Sequence, residues 1–220
     1  MKLALYDFDG TYVDLQTLPE LFRLWKRLGV ERKTHRRLWR KIMVRYVWYK
    51  LGWFGWTKRR FHPYAMEQAA SLFLSVEESV VDEVLRAHYQ NLKRHVNPKV
   101  KERIQRDQQA GYHTVLLSGN LENILAPFRN DGFDDVIGTP ITKDGRRLGA
   151  DEVEILIEDG KVRRIEERYP DIDWAASKAY ADSGYDLPLL QKVGEAIAVT
   201  PDEVLREHAL RCGWEILTND

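Results

Sequence analysis

The acids are the first residues whose types and spacing suggest chemistry. Asp7 and Asp9 stand two residues apart, directly behind the apolar run KLALY at 2–6, and lead into Gly10-Thr11. Downstream, Asp182-Ser183-Gly184-Tyr185-Asp186 follows a second run near 177–181, and a third at 113–118 ends in Ser118 before Gly119-Asn120. Asp7, Asp9, Asp182 and Asp186 gathered at one place would repel one another strongly. A hard divalent cation relieves that repulsion, and Mg²⁺ takes a few carboxylates together with waters and phosphate oxygens. A lone Asp-Asp pair is usually a turn or a cap, but four such acids with a serine ask for another explanation. Lys161 follows Gly160 and opens a predicted helix, where a cation opposes the macrodipole. Facing a phosphate that the same helix end attracts, it would be well placed.

Positioning these residues requires a particular set of elements. Strands are expected at 2–6, 113–118, 134–138, 177–181, 195–199 and 214–217, with helices at 121–130, 161–169, 186–193 and 201–211. Residues 140–158 read as a β-excursion turning at Asp144-Gly145. Strand–helix alternation predicts an α/β, Rossmann-like three-layer core whose mostly parallel sheet is covered on both faces. Ligands bind beyond the carboxyl ends of such strands, and Asp7, Ser118 and Asp182 all fall there. Between the first strand and a helix opened by Asn97-Pro98 and closed at Gly111, every signal is helical. Thr17-x-x-Glu20 and Ser75-x-x-Glu78 read as capping boxes, Gly29 as a helix stop, and Gly52 with Gly55 as a break between helices near 33–50 and 57–72.

The ordered set Asp7-Phe8-Asp9-Gly10-Thr11, Ser118-Gly119-Asn120, Gly160-Lys161-Val162 and Asp182-Ser183-x-x-Asp186 resembles the four motifs of the haloacid dehalogenase superfamily. Its local wording is most similar to the phosphoserine-phosphatase-like branch (subclass IB), which carries a helical C1 cap. The resemblance implies a catalytic core at 1–14 and 97–220 and a cap at 15–96. It also implies a phosphomonoester phosphatase working through an aspartyl-phosphate on Asp7, a carboxylate that needs no base to activate it at neutral pH. Asp9 would serve as general acid and then general base, which calls for a raised pKa, expected from the neighbouring acids. Mg²⁺ would be held by Asp7, the Asp9 backbone carbonyl and Asp182, with Asp186 acting behind them or through water. Ser118, Gly119, Lys161 and Thr11 would bind the phosphoryl oxygens. A phosphotransferase would use the same residues. Against phosphoserine as substrate, Gln16 stands where those enzymes carry an acid, Tyr185 where they often carry a small polar residue, and Ala181 in place of a glycine; Asp14 could still supply a charge.

Composition bounds the remaining options. With 220 residues and 44% hydrophobic content the chain can bury a real core, which excludes disorder and small disulfide scaffolds. One cysteine, Cys212, cannot close an internal disulfide and favours a reducing compartment; near a helix end it reads as a small packing residue. MKLALYDFDG carries two acids and does not read as a secretory leader, so a cytoplasmic location is expected. Net charge is zero, yet residues 22–60 hold 14 Lys or Arg against one acid, Glu31, along with five of the seven tryptophans. A basic, aromatic cap could steer anionic small molecules or lipid phosphates, rest on an anionic membrane surface, or pack its aromatics with a solvated basic face. Nucleic-acid binding through Arg32, Lys33, Arg36, Arg37, Arg40 and Lys41 has no named motif behind it and leaves the acids unexplained. The six histidines show no metal-ligand spacing.

Overall fold

The computed structural model describes residues 1–140 and 156–218. Its sheet is made of β1 (Leu3–Tyr6), β2 (His113–Leu121), β3 (Asp135–Thr139), β4 (Lys178–Ala181), β5 (Glu195–Val199) and β6 (Glu215–Leu217) in the order β3-β2-β1-β4-β5-β6. Every named pairing is parallel. The order reverses beside β1, so the crevice that such sheets use for ligands opens beyond Tyr6.

The inner strands run apolar through their middles because both faces of the sheet are covered, while β6 at the edge leaves Glu215 exposed. Leu3 and Leu5 point into one core with Val115, Leu117, Ile165 and Leu205. Ala4 and Tyr6 point into the other, with Leu116, Phe128 and Ile104. On that second face the apolar cluster continues without a break into Leu21, Phe22, Trp25, Met66 and Leu92. Those residues, with Leu38 and Ile42, come from α1 (Thr17–Leu28), α2 (Arg32–Lys50), α3 (Lys58–Phe73) and α4 (Glu78–Leu92), all lying between β1 and α5 (Pro98–Gln109) in the chain. Tyr6 and Tyr180 stack with ring centroids 4.3 Å apart, and both hydroxyls donate to one oxygen of buried Asp107, at 2.6 and 2.7 Å. This clamp ties β1 to β4 through α5, immediately before Asp7 and Asp182.

Several local expectations change on folding. Neither capping box forms. Gln16 is the N-cap of α1, Thr17 lies inside the helix and turns its hydroxyl to Asp9, and Glu20 pairs with Arg23. Glu77 precedes α4, while the Ser75 hydroxyl donates backward to the Leu72 carbonyl. A hydroxyl that could cap its own helix takes instead whichever acceptor folding brings within reach. Asn97 does cap α5, accepting from Lys99 and Val100, and Gly29 ends α1 at φ 73°. The helix expected at 121–130 is a single turn, α6 (Glu122–Leu125), followed by a 3₁₀ stretch through Ala126–Asp131 that contains Pro127. The helix expected at 186–193 is likewise short, α8 (Leu187–Leu190). Further along, α7 (Asp159–Arg168) and α9 (Glu203–Cys212) cover the sheet. Cys212 is exposed at the end of α9 and packs no core. Residues 141–155 of the expected β-excursion lie outside the described residues.

Candidate active site

Asp7 begins where β1 ends. Its amide still donates to the Tyr180 carbonyl at 2.9 Å, which carries the strand's geometry one residue into the crevice. Gly10 then turns the chain at φ 77°, and a Cβ there would lie 2.2 Å from Asp182 Oδ2, so glycine lets the first acid loop press against the second. The Asp182–Asp186 loop is fixed from below by Asp202. That side chain accepts from Ser183 Oγ at 3.0 Å and from the Gly184 amide, while also capping α9 through Leu205.

The consequence is a compact ionic centre. One ligand oxygen each from Asp7, Asp182 and Asp186 lies within 4.8 Å of the others. Lys161, only 4% exposed, reaches in from the first turn of α7 to Asp7 Oδ1 and Asp186 Oδ1, 2.6 Å each. Burial pushes Asp7 up to about 7, with Lys161 opposing and Asp186 adding. Burial, then Asp7 and Asp186, push Asp182 up to about 8 against Lys161. For Lys161 burial disfavours the ammonium, but Asp186 and Asp7 outweigh it and hold its pKa above the usual lysine range. Three carboxylates and one ammonium leave two negative charges when all are ionised, the charge a divalent cation cancels. The all-oxygen donor set fits Mg²⁺.

Asp9 is held apart from this cluster. Its Oδ1 accepts from the Thr17 amide at 2.9 Å and from the Thr17 hydroxyl, and its Oδ2 accepts from Asn120 Nδ2 at 2.8 Å. Its pKa is raised, as the sequence reading required, but by a different cause. Burial is the largest contribution, and the bonds from Thr17 and Asn120 oppose it. Ser118 sits on β2 where its register with β3 breaks, and its hydroxyl accepts from the Asn120 amide at 3.2 Å.

Asp7, Asp9, Ser118, Gly119, Lys161, Asp182 and Asp186 all line one cavity of about 330 Å³. Thr11 does not line it: the residue is fully buried, and its hydroxyl has no hydrogen-bond partner among the described residues. Gln16 and Tyr185, read from sequence as departures bearing on substrate, do line it. The sequence reading missed Arg59 and His62, which α3 hangs over the same cavity. Arg59 faces Glu158 at 3.7 Å, and a Cβ on Gly119 would lie 3.2 Å from His62 Cε1. Their i, i+3 spacing at the start of a helix after Gly52 and Gly55 was the one available signal. Of the other histidines, His35 bonds the Phe22 carbonyl at 2.8 Å, and His88 is buried and pushed down to about 4 by desolvation.

A parallel sheet of order 3-2-1-4-5-6 with buried acids at its reversal defines a Rossmann-like α/β protein whose chemistry sits at the strand ends. A family model of haloacid dehalogenase-like hydrolases matches residues 4–191, and the chain belongs to that family. Among curated relatives, histidinol-phosphatase of Neisseria meningitidis serogroup C is 31% identical over 137 residues, 56% of this chain and 59% of that protein. A probable phosphatase of Mycobacterium tuberculosis is 34% identical over 113 residues, 49% of this chain and 39% of that protein. The matches thus span less than two thirds of those relatives. Among solved structures, a Bordetella pertussis protein of unknown function superposes with TM-score 0.80 at 23% identity, covering 100% of this chain and 99% of that one. A substrate-bound phosphoserine phosphatase superposes with TM-score 0.63 at 23% identity, covering 100% and 93%. Both share the fold.

Proposed function

We propose that the protein is a Mg²⁺-dependent phosphomonoester phosphatase, with residues 1–14 and 97–220 as catalytic core and 15–96 as a helical cap over it. The observation that carries the reading is Lys161 locked between Asp7 and Asp186, with Asp182 alongside, at the floor of a cavity bordered by Asp9. Asp7 attacks phosphorus through a carboxylate oxygen, the ester P–O bond breaks, and the proton of Asp9 passes to the departing alkoxide. Asp9 then takes a proton from water as that water attacks the aspartyl-phosphate, releasing phosphate and restoring Asp7. The raised pKa of Asp9 supports its starting this cycle protonated. Lys161, Ser118 and the Gly119 amide would hold the phosphoryl oxygens, and positioning with charge neutralisation supplies most of the rate in such transfers. Mg²⁺ would be held by Asp7, Asp182 and the Asp9 carbonyl, with Asp186 close by; when bound it neutralises charge on the phosphoryl group.

A histidinol-phosphatase and a probable phosphatase among the relatives agree with this reaction class. Trapping with radiolabelled aryl phosphate in Mg²⁺ should label the protein on Asp7, and Asp7→Asn should abolish both label and turnover. Turnover that survives Asp7→Asn would refute the mechanism.

A peripheral role for the cap is a separate reading, favoured by one surface feature. At the C-terminal end of α2, Leu51, Trp53 and Phe54 are 53%, 54% and 73% exposed, with Lys50 and Arg60 exposed on either side of them in the chain. Aromatics flanked by cations suit an anionic lipid surface. Among the described residues no helix is long and apolar enough to cross a membrane. Co-sedimentation with phosphatidylglycerol vesicles, lost in the double variant Trp53→Ser with Phe54→Ser, tests this reading.

A further inference from the structure

Next to the catalytic cavity lies a second one of about 360 Å³, bounded by α1, α2 and α3. The two share Asp9, Gln16 and His62 in their walls, so they meet at the catalytic acid. Beyond that threshold the lining is apolar, with Trp39, Ile42, Met43, Tyr46, Tyr49 and Phe61 the main contributors. The aromatic wall is braced: Tyr49 stacks on Phe61 at 5.6 Å between centroids, and Tyr46 meets Phe61 at 5.6 Å. Asp9 is the only acid in this wall among the described residues, and Lys50 is at its edge. A substrate ammonium would find no carboxylate here except the one needed for proton transfer, and it would face a lysine.

Resting on the phosphatase reading, reaction geometry gives this annex a purpose. The acid must stand at the ester oxygen it protonates, so the organic part of the ester continues away from phosphorus on the Asp9 side. We infer that the annex is the leaving-group pocket and that the substrate is a phosphate monoester of an alcohol with an apolar alkyl or aromatic body and no ammonium beside the ester. Uncharged apolar surface is what such a wall recognises.

The test is a chain-length series in Mg²⁺: ethyl, butyl and hexyl phosphate, with 2-phenylethyl phosphate, phosphoserine and acetyl phosphate. Lengthening the chain beyond ethyl scarcely changes leaving-group acidity, so a trend in kcat/KM reports burial in the annex. The expected gain is about fourfold per methylene, with phosphoserine no better than ethyl phosphate. Whichever of hexyl and 2-phenylethyl phosphate is faster distinguishes an alkyl from an aromatic occupant. In Met43→Asn, checked for folding by its thermal melt, the slope of kcat/KM against chain length should flatten. A flat series in the unmodified protein, or phosphoserine above butyl phosphate, overturns the inference and leaves the phosphatase intact. Failure to hydrolyse any of the six overturns both.

Discussion

Raising the pH of the metal-free protein from about 6.5 to about 8.5 should destabilise it by roughly 2–3 kcal/mol. In the unfolded chain Asp7 and Asp182 are ionised throughout this range, whereas in the folded protein they titrate near 7 and 8 because burial and mutual repulsion disfavour their charges. From the ordinary carboxylate range up to about 8 the native state therefore holds protons that the unfolded state has released, and stability falls as pH rises. Most of the change falls on Asp182, the group with the higher pKa. The buried His88, pushed down to about 4, opposes the trend only at the lower edge of this window, where the unfolded imidazole is still releasing its proton, and by only about 0.4 kcal/mol. For a chain of this size the loss corresponds to a drop in Tm of roughly 5–10 °C. Mg²⁺ should reverse it, because the cation binds the ionised carboxylates and competes with their protons. At about 100 times its Kd the ion contributes about 2.7 kcal/mol, and this rescue should be larger at the higher pH. Differential scanning calorimetry in chelator and in Mg²⁺ at both pH values reads all four quantities. A Tm that stays level or climbs between the two pH values in chelator would refute this electrostatic account of the site, as would a Mg²⁺ shift equal at both.

Three further outcomes follow from the same geometry. Lys161→Met leaves three buried carboxylates without their ammonium, so denaturant melts at neutral pH in chelator should show a loss of about 3–5 kcal/mol; an unchanged midpoint would contradict the bridging seen here. Thr17→Val removes the hydroxyl that donates to Asp9 while keeping the amide. Losing a bond to the charged form should raise the Asp9 pKa, shift the kcat–pH profile alkaline and lower kcat about tenfold; an unshifted profile would release Asp9 from control by α1. Asp107→Asn weakens the acceptor shared by Tyr6 and Tyr180 and its pairing with Lys178 at 3.4 Å. It should cost about 2–3 kcal/mol in urea melts with kcat within about twofold, and an equal fall in activity would make the clamp part of the active site.

The strand-ending acids, Lys161 and the alternating pattern of the core were legible before folding, because each is local. An apolar run ending in a carboxylate carries its meaning in consecutive residues, and a buried strand is apolar whatever it packs against. Gly10, next to Asp9, belongs with these, although only the approach of Asp182 explains why its Cβ must be absent. Helix starts were less legible. Thr17 has the right type and spacing for a capping box, yet folding brought Asp9 within reach of its hydroxyl, and the nonlocal partner won. The same logic hid Arg59 and His62, whose nearness to Gly119 depends on how α3 lies across the sheet. That burial more than charge raises Asp9, and that α1, α2 and α3 border an apolar annex beside it, emerged from packing alone. Periodicity marks Leu38 and Ile42 as inward-facing, but whether an inward face fills a core or lines a cavity depends on what lies opposite. That is set by residues far away in the chain.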